Sequence, residues 1–326
     1  MIVGSPTSSG GDDVDMDEPS HLSGRSDRTG PQTSALRQVG VVVHPTRRLE
    51  TVLAEIGAWA SAHGVTVGQI PVPGQTRRVA DPVEAAACDL LLALGGDGTA
   101  LVALHAGAAS ARPVLGVACG SVGVLMSVPA DRVPWALEQV AAGRWTPIGV
   151  PGLDVGWGEA HGAVAINDLA VIRDGPGQVI VSVTVDGVLY ARVAGDGLVV
   201  ATPLGSSAYT MAGGGPILAP GAEGMAVTPL AAHGGSCPPL VAGIGSRLTL
   251  TVEPGHGGVR HEIDGRRTAI TGRPLTVGWR PDYATLVGPA EGERRLTGLR
   301  RRGLVLDSPR VLVRDARSPE DAEPLA

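Results

Sequence analysis

The chain has 326 residues, a hydrophobic fraction of 43% and a formal net charge of −6, which leaves room for about two domains with a substantial core. The acidic balance argues against a nucleic-acid-binding surface. No apolar stretch approaches the ~20 residues of a membrane-spanning helix. The N-terminus has neither the basic start nor the apolar core of a signal peptide. The sequence therefore predicts a cytoplasmic protein that binds neither nucleic acid nor membranes.

Two residue types narrow the chemistry further. Lysine is absent, so all 26 Lys+Arg positions are arginine. That excludes a Walker-type P-loop, which needs lysine, and Schiff-base catalysis. The three cysteines, Cys88, Cys119 and Cys237, are far apart and lack CxxC spacing, so we expect neither a disulfide framework nor a zinc site.

The first part of the chain alternates between strands and helices. Residues 1–37, rich in Ser, Gly, Asp and Pro, cannot bury enough apolar surface to order themselves and predict a disordered tail. Residues 38–145 then predict an α/β domain with a parallel, Rossmann-like sheet. Its strands are expected at 39–44, 65–70, 88–94 and 113–117, and its helices at 49–60, from 100 onward, and at 131–142.

After Gly143, segments of strand character follow one another without helices between them. They lie at 153–157, 163–173, 179–185, 188–193, 198–201, 247–252, 258–263, 268–270, 275–277 and 283–287. Asp186-Gly187 and Asp264-Gly265 are hairpin signals. Residues 146–293 are therefore expected to form a β-rich, sandwich-like domain, and about 294–313 to return to the first domain. Residues 314–326 predict a second disordered tail.

The first stretch that could carry chemistry is Gly95-Gly96-Asp97-Gly98-Thr99, between a buried strand and a helix. Clustered glycines let a loop turn tightly and present N–H groups to an anion such as phosphate. The carboxylate of Asp97 would be repelled by phosphate unless it held a metal, a ligand hydroxyl or a proton in transfer. A plain strand-to-helix turn with an Asx hydrogen bond is the alternative.

Asn167-Asp168 places two polar side chains inside an apolar segment, which costs free energy unless both find partners. Their donors and acceptors suit a ribose diol, and a capped bend is the alternative.

The stretch from Gly195 to Pro216 is rich in glycine and hydroxyl side chains, which allow a flat or phosphorylated ligand to approach closely. Tyr209 could stack on a base, although a compact loop packed on a neighbour fits as well. His233 is a lone histidine that could contact substrate or be structural. Without His/Cys clusters, a metal would be Mg²⁺ held largely by phosphates.

Taken together, these stretches resemble the NAD kinase family, whose members phosphorylate the adenosine-ribose 2′-hydroxyl of NAD. The resemblance runs from Val39 to about Arg302. The loop at 95–99 matches the family's GGDGT motif, and Asn167-Asp168 is similar to its Asn-Glu pair. Thr202-Pro-Leu-Gly-Ser-Ser-Ala-Tyr209, followed by Gly214-Gly-Pro216, resembles its TPTGSTAY…GGP signature. The resemblance implies the family's two-domain architecture, with the active site between an α/β nucleotide-binding domain at 38–145 and a β-rich dinucleotide-binding domain at 146–293.

The resemblance also implies a role for each matching residue. Asp97 would orient and deprotonate the 2′-hydroxyl as the catalytic base, and Asp196 would lie by the nicotinamide end. The residues implied to bind substrates are Gly96, Gly98, Thr99, Asn167, Asp168, Asp196, Thr202, Ser207, Ala208, Tyr209 and His233. The family further implies NAD and ATP as ligands, Mg²⁺ or another divalent cation as cofactor, and a homodimer or homotetramer.

Four departures from the family's pattern bear on the acceptor. Asp168 stands where Glu is usual, and Ala118, Val124 and Ala212 replace a typical Asn, Phe and Ser. Two alternatives follow: a kinase of the same fold acting on another nucleoside, sugar or lipid hydroxyl, and a non-catalytic NAD(P)-binding sensor. The sequence leaves both ATP and polyphosphate open as donor, and both NAD and NADH as acceptor.

Overall fold

The structure, a computed structural model, describes residues 36–120, 123–158, 161–219, 221–234, 237–270, 274–289, 299–300, 303, 305–309 and 311. The helices in these ranges are α1 (Glu50–His63), α2 (Asp97–Ser110), α3 (Val133–Ala141) and α4 (Tyr209–Ala212). The strands are β1 (Gln38–Val43), β2 (Thr66–Gln69), β3 (Leu90–Gly95), β4 (Val114–Ala118), β5 (Val128–Pro129), β6 (Trp145–Trp157), β7 (His161–Ala165), β8 (Asp168–Arg173), β9 (Val179–Val185), β10 (Val188–Gly195), β11 (Gly197–Ala201), β12 (Gly224–Leu230), β13 (Leu240–Gly243), β14 (Leu248–Glu253), β15 (Val259–Ile263), β16 (Arg266–Thr268) and β17 (Leu275–Pro289).

The first part of the chain is the predicted parallel sheet covered by helices. Strands β2, β1, β3 and β4 pair in parallel in that order. Helices α1 and α3 pack on one face, around Leu92, and α2 packs on the other, around Leu91. All six residues of β3 are buried, as expected of a strand with helices on both faces. The α/β prediction is confirmed, with element bounds shifted by a few residues.

The parallel sheet does not stop at the end of this region. Strand β17 pairs in parallel with β4 and antiparallel with β6 and β14. Eleven of the described strands therefore form one sheet, with the main order β10-β9-β14-β17-β4-β3-β1-β2. The sequence predicted two strands at 275–277 and 283–287, and this was wrong. An irregularity between Arg280 and Ala284 accommodates Pro281 while pairing with β6 continues on both sides of it.

A second, antiparallel sheet lies over the C-terminal half of the first. Its six strands run in the order β13-β12-β11-β8-β15-β16. Alternate residues of β8 and β11, such as Leu169 and Val200, share a buried core with Val181 of β9 and Leu250 of β14. The predicted sandwich-like β region is confirmed. Both hairpin signals are also confirmed, because Asp186 and Asp264 adopt positive φ angles of 50° and 51°.

Two strand predictions were wrong in this region. The single strand expected at 163–173 is two strands in different sheets, since β7 pairs with β6 whereas β8 pairs with β11 and β15. The polar pair Asn167-Asp168 marks the break. Strands β12 and β13 were not predicted, because glycines and prolines on both sides masked their short apolar runs.

The predicted tail at 1–37 lies outside the described residues except for Leu36 and Arg37, and the predicted tail at 314–326 lies entirely outside them. The domain bounds stay predictions. From the segment expected to return to the first domain, Leu299 is buried, and it lines a cavity of about 20 Å³ with Val124 and Ser207.

In the part of the chain described here, no helix combines the length and apolar character that a membrane crossing requires.

Candidate active site

Asp97 occupies the first turn of α2, directly after the buried strand β3. The helix thus begins three residues earlier than its apolar pattern predicted. Both carboxylate oxygens of Asp97 accept backbone hydrogen bonds: Oδ2 from Val124 N at 3.0 Å and Oδ1 from Leu125 N at 2.9 Å. These contacts fix the carboxylate at the N-terminus of α2, where the helix dipole also favours negative charge. Its neighbour Gly98 is exposed.

A cleft of about 420 Å³ opens in front of this loop. Its lining residues come from the ends of β1 and β2 and from the start of α2, with one contribution from β16: Val42, Val43, His44, Pro45, Arg47, Val72, Pro73, Gly74, Gln75, Gly96, Asp97, Gly98, Thr99, Val102 and Arg266. The carboxyl edge of a parallel sheet is the usual place for a ligand in α/β proteins. Three predicted site residues besides Asp97, namely Gly96, Gly98 and Thr99, lie in this cleft.

Arg47 brings positive charge to the cleft, and backbone carbonyl groups fix the position of its guanidinium. Its Nη1 donates to the carbonyl oxygens of Cys119, at 2.6 Å, and Gly95, at 3.3 Å. A Cβ atom built on Gly96 would lie 3.6 Å from the other terminal nitrogen, Nη2. The guanidinium therefore lies against the glycine loop, where it can interact with an anion bound at the N-terminus of α2.

His44 has a defined tautomer at the same edge. Its Nδ1 accepts the N–H groups of Thr46 and Arg47, both at 3.2 Å, so the proton of the neutral ring is on Nε2. Burial, followed by the charges of Arg47 and Arg77, lowers the pKa of His44. The neutral ring can thus donate one hydrogen bond from Nε2 in the cleft.

The bend between β7 and β8 contains Asn167 and leads into Asp168. Its N–H groups converge on the buried carboxylate of Asp264: Ile166 N donates to Oδ2 at 3.0 Å, and Asn167 N to Oδ1 at 2.6 Å. On the other side, Thr202 donates its hydroxyl to the carbonyl oxygen of Ile166 at 2.7 Å. The bend is therefore held by side chains on both sides, which leaves the half-buried side chain of Asn167 to make other contacts.

Asp168 has the most perturbed carboxyl group of the site. It is only 5% exposed, and this burial, followed by the charges of Asp264 and Glu262, raises its pKa to about 7. A hydrogen bond from the backbone N–H of Tyr209 partly opposes the shift. The group therefore changes charge near neutral pH, which is typical of functional carboxyls.

The predicted signature stretch 202–209 divides into supporting and accessible residues. Thr202 is fully buried behind the bend, so the structure gives it a supporting position and leaves its predicted contact with substrate unsupported. Ser207 and Tyr209 are partly exposed, and Ala208 is exposed. Gly205 has to be glycine, because a Cβ atom there would lie 2.0 Å from the carbonyl oxygen of Asn167.

Two predicted site residues lie elsewhere. Asp168 pairs with Ala201 at one end of β8, whereas the backbone of Asp196 bonds to Arg173 at the other end. Five residues of strand separate the two ends by about 16 Å. His233 lies near Asp196, because its N–H donates to Ala194 O at 2.8 Å. One chain therefore brings Asp97 and Asp168 to one end of the β8 region and Asp196 and His233 to the other.

Two family models match segments in both halves of the chain. The family model described as the ATP-NAD kinase N-terminal domain matches residues 35–145, and the model described as the ATP-NAD kinase C-terminal domain matches residues 166–273. The two segments together cover more than half of the chain.

The chain belongs to the NAD kinase family.

Curated relatives support this membership over most of the chain. An NAD kinase from Nitratidesulfovibrio vulgaris strain DP4 is 33% identical over 268 residues, covering 79% of this chain and 85% of that protein. An NAD kinase from Halobacterium salinarum is 37% identical over 221 residues, covering 62% of this chain and 76% of that protein. Membership makes the chain an ATP-dependent kinase of NAD.

Solved structures share the fold. Yeast NADH kinase, solved in complex with NADH, has a TM-score of 0.71 at 21% identity, covering 84% of this chain and 89% of that chain. An NAD kinase from Archaeoglobus fulgidus, solved in complex with ATP, has a TM-score of 0.66 at 23% identity. The match covers 83% of this chain and 100% of that chain. The NAD kinase architecture predicted for the chain is thus confirmed.

Sequence reasoning missed several residues of the candidate site. Arg47, His44 and Arg266 line the cleft, and Asp264 organises the bend. Arg47 follows a buried strand in a Pro-Thr-Arg-Arg turn, which is a weak signal by itself. Asp264 was noted as part of a hairpin signal, but its contact partners lie almost a hundred residues earlier in the chain.

Proposed function

We propose that Asp97 is the general base in the transfer of the terminal phosphoryl group of ATP to the adenosine-ribose 2′-hydroxyl of NAD. The observation that carries this proposal is the carboxylate of Asp97, held by two backbone N–H groups at the opening of the cleft. As the 2′-oxygen attacks phosphorus, its proton passes to Asp97, and the bond to the leaving diphosphate breaks. Such a base must be fixed in direction, which the two N–H donors provide.

The donor phosphates would lie at the N-terminus of α2. The helix dipole and the N–H groups of the glycine loop attract anions there, and Arg47 adds a full positive charge beside Gly96. Arg266 lines the same cleft from β16. Phosphoryl transfer depends mainly on positioning and on charge stabilisation, so two arginines beside the loop fit the reaction.

The acceptor would lie along the bend at Asn167 and Asp168. Asn167 can donate and accept hydrogen bonds, and ionised Asp168 can accept them from ribose hydroxyls. Ser207, Ala208 and Tyr209 continue the accessible surface beside Asp168, since Tyr209 N donates to that carboxyl group. The proposal therefore places adenosine between the start of α2 and the start of α4.

Magnesium would enter with the triphosphate of ATP. Among the described residues, no group of three or more His, Cys, Asp or Glu side chains could hold a metal ion. Mg²⁺ commonly takes one or two carboxylates and completes its shell with phosphate oxygens and water, and Asp97 is the carboxylate in the cleft. The cation, when bound, neutralises charge on the transferred phosphoryl group.

The proposal includes a homodimer or homotetramer in the cytoplasm. Asp196 and His233 lie about 16 Å along β8 from the bend, and in the proposed oligomer a second copy would supply these two residues to the site that contains Asp97. Mixing Asp97→Asn chains with Asp196→Asn chains under exchange conditions should then regenerate intact sites and activity. The three cysteines are free thiols, which suits a reducing compartment.

The function is tested by incubating the protein with ATP, Mg²⁺ and NAD and measuring NADP with an NADP-specific dehydrogenase. Parallel reactions with polyphosphate and with NADH settle the donor and the redox form of the acceptor. The Asp97→Asn variant is the control for contaminating kinase activity. Failure to form NADP, together with rapid phosphorylation of another nucleoside or sugar, would contradict the proposed acceptor.

A further inference from the structure

His105 lies on the same helix as Asp97, eight residues further along, which is about 12 Å along α2. Its Nε2 lies 2.7 Å from Oδ2 of Asp264. On the other side of the ring, Nδ1 lies 3.0 Å from the hydroxyl of Tyr283, and the two rings meet edge to face. The imidazole is therefore fixed between the hairpin turn after β15 and strand β17.

Asp264 needs such a partner because its carboxylate is almost entirely buried, with 4% of the side chain exposed. Buried charge is costly unless it is fully hydrogen-bonded. Three backbone N–H groups of the bend supply part of the compensation, from Ile166, Asn167 and, at 3.3 Å, Asp168. His105 supplies the side-chain partner.

We infer that His105 is a positioning residue for NAD: through Asp264 it sets the bend that carries Asn167 and Asp168 relative to the helix that carries Asp97. The inference rests on the proposed placement of NAD along this bend. The chain of contacts is continuous, from α2 through His105 to Asp264 and from there to the three N–H groups of the bend. His105 lies about 12 Å along α2 from Asp97 and reaches the bend through Asp264, so its effect on substrate is indirect.

The same residues border a cavity of about 540 Å³ that shares Gly98, Val102 and Arg266 with the active-site cleft. His105, Asp264 and Tyr283 form part of its wall. A shift of the Asp264 turn would therefore change the shape of the space beside Gly98 as well as the bend. This predicts an effect on acceptor binding that exceeds any effect on ATP binding.

The test compares His105→Ala, His105→Gln and Tyr283→Phe in the full-length chain. Binding of NAD is measured by calorimetry, and the KM values for NAD and ATP are measured from NADP formation. We expect His105→Ala to weaken NAD binding and raise its KM about tenfold, with the KM for ATP changed less than about twofold. Glutamine places an N–H group close to the position of Nε2, so His105→Gln should restore NAD binding to within about threefold of the unchanged protein. Tyr283→Phe removes the hydrogen bond to Nδ1 but keeps the bond between His105 and Asp264, so it should weaken NAD binding less than His105→Ala does.

Equal losses for NAD and ATP, or a glutamine variant as weak as the alanine variant, would overturn the inference. If His105→Ala does not fold, Asp264→Asn takes its place, since asparagine tolerates the positive φ of this turn. Its amide NH₂ would face the donors Ile166 N and His105, and the same selective loss of NAD binding is expected. Calorimetry needs no turnover, so it tests the positioning role even if the acceptor in the proposed reaction proves to be wrong. Unchanged NAD binding in His105→Ala, or in Asp264→Asn where that variant takes its place, would overturn the inference.

Discussion

A Cβ atom at Gly123 would lie 1.9 Å from Oδ1 of Asp97. The loop that follows Gly123 can therefore approach the carboxylate only because residue 123 has no side chain, and its N–H groups at Val124 and Leu125 then fix the carboxylate. Gly123→Ala should displace Asp97 and lower kcat at least tenfold, with a smaller change in the KM for NAD. Gly57→Ala, where a Cβ atom meets nothing within 4 Å, is the matched control and should leave kcat unchanged.

Replacing Asp97 by Asn should lower kcat at least about 100-fold, because the general base is lost. The amide NH₂ cannot accept one of the two backbone hydrogen bonds, so stability should also fall, by about 1–3 kcal/mol. NADP formation gives the first effect, and thermal unfolding gives the second. A variant that keeps near-normal turnover would show that Asp97 is not the base.

Gly98 offers a way to separate ligand contact from folding. It is exposed in the first turn of α2, and a Cβ atom there meets nothing within 4 Å. Gly98→Ala should therefore keep or raise stability, by up to about 1 kcal/mol, yet raise the KM of the substrate that lies against it. Gly57→Ala in α1 should give the gain in stability without the change in KM. An unchanged KM in Gly98→Ala would place the ligand away from this residue.

Asp168 should make stability fall as pH rises. The pKa of Asp168 in the folded protein is about 7, above the ordinary value of 3.8. The contribution of Asp168 to the free energy of unfolding is therefore fully present below pH 3.8 and is lost as the pH rises through about 7. Within that window the slope is up to about 1.4 kcal/mol per pH unit. Asp168→Asn, which can still accept from Tyr209 N, should remove this part of the pH dependence measured by denaturant unfolding.

The exposed Asp154→Asn variant is the control for Asp168, since Asp154 lies on the surface with Arg280 as its ion-pair partner. It should show the same decline with pH as the unchanged protein. If Asp168→Asn also keeps the full decline, another group is responsible for it.

Arg47 should matter for ATP more than for NAD, because its guanidinium lies against the loop proposed to bind the donor phosphates. Arg47→Gln should raise the KM for ATP about tenfold or more, and the effect should shrink with added salt. Arg48→Gln changes the exposed neighbour and should have little effect. Similar KM values for ATP in the two variants would exclude the proposed phosphate contact.

The sequence predicted those parts of the site whose signals are local. The glycine run around Asp97 marks a strand-to-helix turn within five residues, and a parallel sheet follows from the alternation of elements before residue 145. Asn167 and Asp168 were recognised because a polar pair interrupts an apolar segment. The same pair ends one strand and begins another, but its sequence does not reveal that the two strands enter different sheets.

The parts that sequence reasoning missed depend on distant contacts. Asp264 looks like an ordinary hairpin residue, and only the folded chain brings the N–H groups of residues 166–168 to its carboxylate. Arg47 likewise gains its position from the carbonyl group of Cys119, 72 residues later. Periodicity and turn signals report neighbours along the chain, so they carry no information on either contact.

Strand β17 lies outside both segments that match the family models, yet β6 pairs along its length, β14 pairs with its first residues and β4 pairs near its end. A chain that ended at residue 273 would contain both matched segments but would leave β4 and β6 without this partner, exposing Leu115 and Val155 of the two cores. The two halves of the enzyme therefore depend on one late strand for their folding. During synthesis, neither half can complete its sheet until residues 275–289 have left the ribosome.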